Sequence, residues 1–189
     1  MSGTVSRRAR AVVAGAALGL FAPSVVAAQA PATPPPPPAA KPEDVSSPDA
    51  ILAALYASIS GPAGQARDWN RFRSLFAPGA RLIPTRLRPD GGANASVITP
   101  DEYATTVGPR LEQNGFFERE IHKTVEQFGN VMHAFSTYES RRKAEDPQPF
   151  SRGINSIQLL KDGNRWWIVT VYWDSERPDN TIPAKYLPK

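Results

Sequence analysis

The sequence predicts an α+β domain over residues 49–189, with three helices on one face of a curved antiparallel sheet. Three observations predict it. Apolar residues recur at helical spacing only in the first half of that span. Four long runs rich in β-branched and aromatic residues fill the second half. Gly129-Asn130 and Asp162-Gly163 are hairpin signals between such runs. The expected order is α-α-β-α-β-β-β-β.

Ser47-Pro48-Asp49 opens the first helix with a cap, a first-turn proline and an acid against the helix dipole. Ile51, Leu52, Leu55, Tyr56 and Ile59 form its apolar stripe, and Gly61-Pro62 stops it. The second helix runs from about Ala66 to Phe76, with Trp69, Phe72, Leu75 and Phe76 on one side. A short strand follows over Ala80–Thr85, where Pro84 implies an edge or a bulge. Residues 86–98 hold Asp90-Gly91-Gly92 and read as a loop. Thr99-Pro100-Asp101-Glu102 is a capping box starting the third helix, bent or broken at Gly108-Pro109. The strands are then Phe116–Phe128, Val131–Arg142, Phe150–Leu160 and Arg165–Asp174.

The preceding residues read as export machinery and spacer. Arg7, Arg8 and Arg10 form a basic start, and the apolar run Ala11–Val26 is shorter than a membrane span and interrupted by Pro23. Residues 1–28 are expected to be a signal peptide cut after Ala28, with Ala30 as second choice because Pro31 would follow that cut. The mature protein is then periplasmic or secreted, with no stable membrane span. Ser6-Arg7-Arg8 leaves the twin-arginine route open beside the general one. Residues 29–48 carry eight prolines, five of them consecutive from Pro34 to Pro38, and read as a stiff linker.

Charge and cysteine content exclude several classes. Of 22 basic residues, three lie in the expected signal, leaving 19 against 18 acidic ones, so little argues for a nucleic-acid partner. With no cysteine there are no disulfides, thiolate nucleophiles or thiolate metal sites. No Ser-His-Asp order, Gly-rich phosphate loop or close His-x-His spacing is present, so neither cofactor nor metal is expected.

Three stretches carry a family resemblance: Asp68–Ala80 (DWNRFRSLFAPGA), Arg152–Leu159 (RGINSIQL) and Asp162–Val169 (DGNRWWIV). Together with the element order they resemble the nuclear transport factor 2-like superfamily and its SnoaL-like members. The resemblance implies a cone-shaped sheet with the three helices on its concave face, an internal pocket between them, and a dimer through the convex sheet face. It says little about activity, since this fold hosts enzymes, binders and scaffolds. Ketosteroid isomerase-like members place a carboxylate base near the end of the first strand, where this chain has Leu82-Ile83-Pro84. Tyr56 falls where those isomerases keep an oxyanion-holding Tyr, and it also lies on the apolar stripe. For the His-based chemistry of scytalone dehydratase-like members, this chain offers only His122 and His133.

A two-residue turn at Gly129-Asn130 pairs Phe128 with Val131 and sets the register of the central hairpin. One face then gathers Glu118 opposite Arg141, Glu120 opposite Glu139, His122 opposite Thr137 and Glu126 opposite His133. The other face carries Ile121 opposite Tyr138 and Lys123 opposite Ser136. The sequence does not fix which face points inward. A Glu–His pair can exchange a proton near neutral pH, so His122, Glu126 and His133 are the catalytic candidates. Tyr56, Tyr138, Glu139, Arg141, Trp166 and Tyr172 are the ligand-binding candidates. In the last strand, alternation sends Trp167 and Trp173 to one face and Trp166 and Tyr172 to the other, which argues for a homodimer covering the second face. Three functions stay open: a binder of a small, partly apolar ligand, a cofactor-independent lyase or isomerase, and a structural dimeric module of the cell envelope.

Overall fold

The computed structural model describes residues 36–189. The helices are α1 (Pro42–Val45), α2 (Pro48–Ile59), α3 (Trp69–Ser74), α4 (Pro100–Thr106) and α5 (Gly108–Asn114). The strands are β1 (Phe76–Leu87), β2 (Ala93–Ala95), β3 (Phe117–Phe128), β4 (Val131–Arg141), β5 (Ser151–Asp162) and β6 (Arg165–Ser175). They form one sheet in the order β2-β1-β6-β5-β4-β3.

The local signals act as read. Ser47 caps α2 by accepting from the Ala50 N–H, and Thr99 and Glu102 form the reciprocal capping box of α4. The third helix is broken into α4 and α5 at Gly108, where a Cβ would lie 2.7 Å from the Trp69 ring. Gly129 and Gly163, both at φ 57°, take the first position of two-residue hairpin loops.

Four features depart from expectation. The sheet is mixed rather than antiparallel, because β1 runs parallel to β6, pairing Leu82 with Val171 and Pro84 with Trp173. Residues 86–98 are not all loop: β2 pairs with β1 through Thr85 and Ala95. The packed region starts before residue 49. Val45 joins the core, and buried Asp44 accepts two hydrogen bonds from the Arg71 guanidinium at 2.7 and 2.8 Å. That pairing holds the Asp44 carboxyl below its usual range.

The fourth departure is a pair of bulges. Near the turn, the β3–β4 register is the expected one, with His122 opposite Thr137 and Glu126 opposite His133. Between Glu120 and His122 it shifts by one residue, so Glu118 faces Ser140 and Glu120 faces Tyr138. A bulge re-aims every side chain beyond it. Glu118 and Glu120 therefore share the inner face with Tyr138 and Ser136, instead of the outer face with the histidines. A second shift, between Ile168 and Thr170 of β6, brings Trp173 to the same side as Trp166 and leaves Trp167 and Tyr172 outside.

The core lies between α2–α3 and the inner sheet face, where Ile51, Leu52, Phe72, Leu75 and Phe76 meet Ala134, Ile157, Leu159 and Ile168. The loop between α2 and α3 is organised by Arg67. Its buried guanidinium donates to the carbonyls of Ile59, Gly61, Pro62, Gln65 and Leu111. On the outer face, the C-terminal segment packs against β4. Thr137 donates to the Tyr186 carbonyl at 2.7 Å, and the Tyr186 and Phe135 rings meet at 5.0 Å. The tail thus supplies part of the cover that the sequence argument sought from a second subunit.

Candidate functional site: the cone cavity

Helices α2, α4 and α5 and the inner sheet face enclose a cavity of about 520 Å³, within the range typical of small-molecule sites. Its interior wall is largely apolar, with Leu55, Ile59, Phe72, Leu82 and Leu111 from the strand-and-helix layer and Val171 and Trp173 from β6. Polar groups converge deep in it, with Glu118, Tyr138, Ser140 and Asn155 on the sheet side and Tyr103 on α4, and further polar residues, Arg86 and Arg110 among them, line its exposed part.

Glu118 is the centre of this group. Protein surrounds its side chain, while part of its surface faces the cavity's own space. Burial disfavours the charged form and raises the carboxyl to about 7. The Ser140 hydroxyl, donating at 2.8 Å, and the Asn155 amide pull the other way without winning. Burial likewise pushes the Tyr138 hydroxyl up to about 12 and the Tyr103 hydroxyl upward, the Glu118 charge adding to both. These phenols stay protonated as hydrogen-bond donors, beside a carboxyl that can hold or release a proton at neutral pH.

The wall is rigidly supported. Asn155 donates to the Tyr56 hydroxyl at 3.1 Å, and Tyr56 bonds Ser136 at 2.7 Å. Ser136 in turn donates to Glu120, whose other oxygen receives the Lys123 ammonium at 2.9 Å. The Tyr138 hydroxyl reaches Ser175 at 3.2 Å, across a spot where a Cβ on Gly153 would come within 2.5 Å of it. Glycine at 153 leaves room for that hydroxyl.

The sequence-derived candidates divide sharply. Tyr138 lines the cavity, and Tyr56 lies behind it in the hydrogen-bond chain, on the wall of a second cavity beside α2 that Glu118 and Arg141 also line. Trp166 is a core residue. Glu139 and Arg141 lie on the outer face, where Glu139 is clamped between Arg119 and Arg141. Tyr172 is exposed on that face as well. His122, Glu126 and His133 also share the outer face; His133 bonds the Ser156 hydroxyl at 2.8 Å, and Glu126 is exposed opposite it. The structure brings none of these three to the cone. Sequence reasoning missed Glu118 and Asn155 as site residues. The signal that could have found them was the series Ser136, Tyr138, Ser140 on alternate positions of β4, which marks a polar-lined wall.

Pro84 of β1 lines the cavity without a carboxylate beside it on that strand, and the carboxyl in the lining comes from β3. Among the described residues, no group of three or more His, Asp or Glu is placed to hold a metal ion, and no helix is long and apolar enough to cross a membrane.

No protein-family model matches the sequence, and no curated protein matches it. Among solved structures, the chain is similar to a protein of unknown function with a cystatin-like fold from Nostoc punctiforme (TM-score 0.51, 12% identity, covering 68% of this chain and 87% of that one). It is also similar to a function-unknown protein from Mycobacterium tuberculosis (TM-score 0.52, 14% identity, 72% and 75% covered). A nuclear transport factor 2-like superfamily protein from Salmonella enterica aligns over 71% of this chain and 85% of its own, at TM-score 0.44 and 16% identity. At such identities the likeness is one of fold. The fold this chain shares with the first two is a mixed α+β one, a curved six-stranded sheet with its helices packed on the inner face.

Proposed function

We propose that this is an exported protein whose cone binds a small, partly apolar ligand. The observation that carries the reading is the apolar cavity with one near-neutral carboxyl, Glu118, among the hydroxyls of Tyr103, Tyr138 and Ser140. The apolar wall takes the ligand body, and the carboxyl and phenols fix one polar atom of it. The open cavity weighs against a purely structural module. Titration of the full-length protein with N-phenyl-1-naphthylamine, a neutral apolar probe, tests the reading. The indole N–H resonance of Trp173 should shift while that of Trp167, outside, does not. A Trp173 signal indifferent to saturating probe would remove the cone as a binding site.

A second reading rests on the same carboxyl. A Glu poised near 7 suits general acid–base catalysis, so lyase or isomerase chemistry passes from the histidines to Glu118. Glu118→Gln separates the two: it keeps an apolar ligand bound and abolishes turnover.

The basic start and short apolar run of residues 1–28, which lie outside the described residues, support export to the periplasm. Exposed Val169, Tyr172 and Leu160 support a homodimer through the outer face. N-terminal sequencing of periplasmic material should begin at Gln29, and its sedimentation equilibrium should give twice the mature mass. An intact Met1 chain in the inner membrane contradicts the first proposal, and a monomer at micromolar concentration contradicts the second.

A further inference from the structure

We infer that the ligand of the cone is an anionic amphiphile, an apolar body ending in one carboxylate, sulfonate or phosphate group. The inference rests on the binding role proposed above and names the ligand class. Exposure divides the cavity lining into two zones. The deep residues are buried or half-buried and mostly apolar around the Glu118 group, whereas the exposed rim carries Arg86, Ser96, Thr106, Arg110, Ser175 and one apolar ring, Phe150. Arg86 comes from the end of β1 and Arg110 from α5, so the two cations approach the opening from different elements.

Their charge is uncommitted. Arg71, Arg73, Arg88, Arg119, Arg141, Arg152 and Arg177 each have a carboxylate within ion-pair distance, whereas Arg86 and Arg110 have none among the described residues. Glu118 is the one acid in the lining, against two guanidinium groups. It lies on the sheet wall beside Tyr138 and Ser140, whereas both arginines are at the exposed rim. The cavity therefore combines an apolar interior with a cationic rim. A neutral apolar ligand would leave both guanidinium groups unused, and a fully polar anion would gain nothing from the interior. An amphiphile uses both: its body is buried, and its head accepts charge-assisted hydrogen bonds from Arg86 and Arg110, with the Ser96 hydroxyl as a further donor.

A matched pair of fluorescent probes tests this on the full-length protein: 1-anilinonaphthalene-8-sulfonate and N-phenyl-1-naphthylamine share an aromatic body and differ in the sulfonate. The sulfonate is expected to bind tighter by about ten-fold or more, with the Trp173 indole resonance shifting for both. In the Arg86→Gln/Arg110→Gln variant, that preference should collapse toward equality while the neutral probe keeps its affinity. The Lys143→Gln/Lys161→Gln variant, carrying the same charge change away from the rim, should retain the preference. Equal affinities in the unmodified protein overturn the inference, as does a preference that survives loss of both arginines. In either case a neutral probe that still shifts Trp173 leaves the binding role standing. If neither probe shifts Trp173, the binding role itself has failed.

Discussion

Arg67→Met is expected to lower the unfolding free energy by roughly 3–5 kcal/mol, the range for removing one partner from a buried charged network. The guanidinium satisfies five carbonyls of the α2–α3 loop and of α5, and its burial keeps solvent from taking its place. The substitution keeps the aliphatic stem and deletes the donors, so packing loss contributes little. Arg67→Lys should fall between the two, because an ammonium cannot reach five acceptors spread over that loop. Chemical denaturation measures the effect as a lower midpoint at unchanged slope. A loss below about 1 kcal/mol would mean that the loop rearranges to hydrate its carbonyls.

The second large effect is a pH dependence traceable to one side chain. Glu118 holds its proton more tightly in the folded state, at about 7, than in the unfolded chain, at an ordinary Glu value. Between those values the native state binds more protons than the unfolded one, so its stability falls as pH rises through the window and levels off above it. The loss is up to about 3 kcal/mol, since each tenfold difference in proton affinity between the two states is worth about 1.4 kcal/mol. It is smaller to the extent that water in the cavity solvates the carboxylate. Glu118→Gln removes the titration while still accepting from Ser140. It should therefore match the unmodified protein near pH 4.5 and exceed it at pH 8. Asp44 and Glu139, held below their usual range, lose their contribution as pH falls, and this cancels between the two proteins. Parallel stability curves from pH 4.5 to 8 would sink the assignment.

The architecture was legible in the sequence wherever it depends on short-range chemistry. The caps at Ser47 and Thr99, the break at Gly108 and the glycine hairpins each follow from a few adjacent residues. The parallel pairing of β1 with β6 was not legible, since no local pattern specifies a partner most of the domain away. The candidate site was legible only in part, and for one reason. Alternation propagates any register error along the strand, and single-residue bulges in β3 and β6 exchanged the faces of Glu118 and Trp173. Tyr138 came through because it lies on β4, which carries no extra residue. The histidines stand out by their solution chemistry, and only the position of the neighbouring helices shows that their face looks away from the cone.

The pairing of β1 with β6 also sets the order in which the molecule can be made. The apolar residues Phe72, Leu75 and Phe76 emerge early in synthesis, yet the strand they pack beside, with Ile168 and Val171, is nearly the last to appear. Until then β1 has no partner through which to join the β3–β4–β5 sheet. Contacts so distant in sequence make folding slow relative to a helical domain of the same size. Completion of the core thus waits on the last strand, an order compatible with the proposed export, in which a chain is threaded through a membrane pore before it folds.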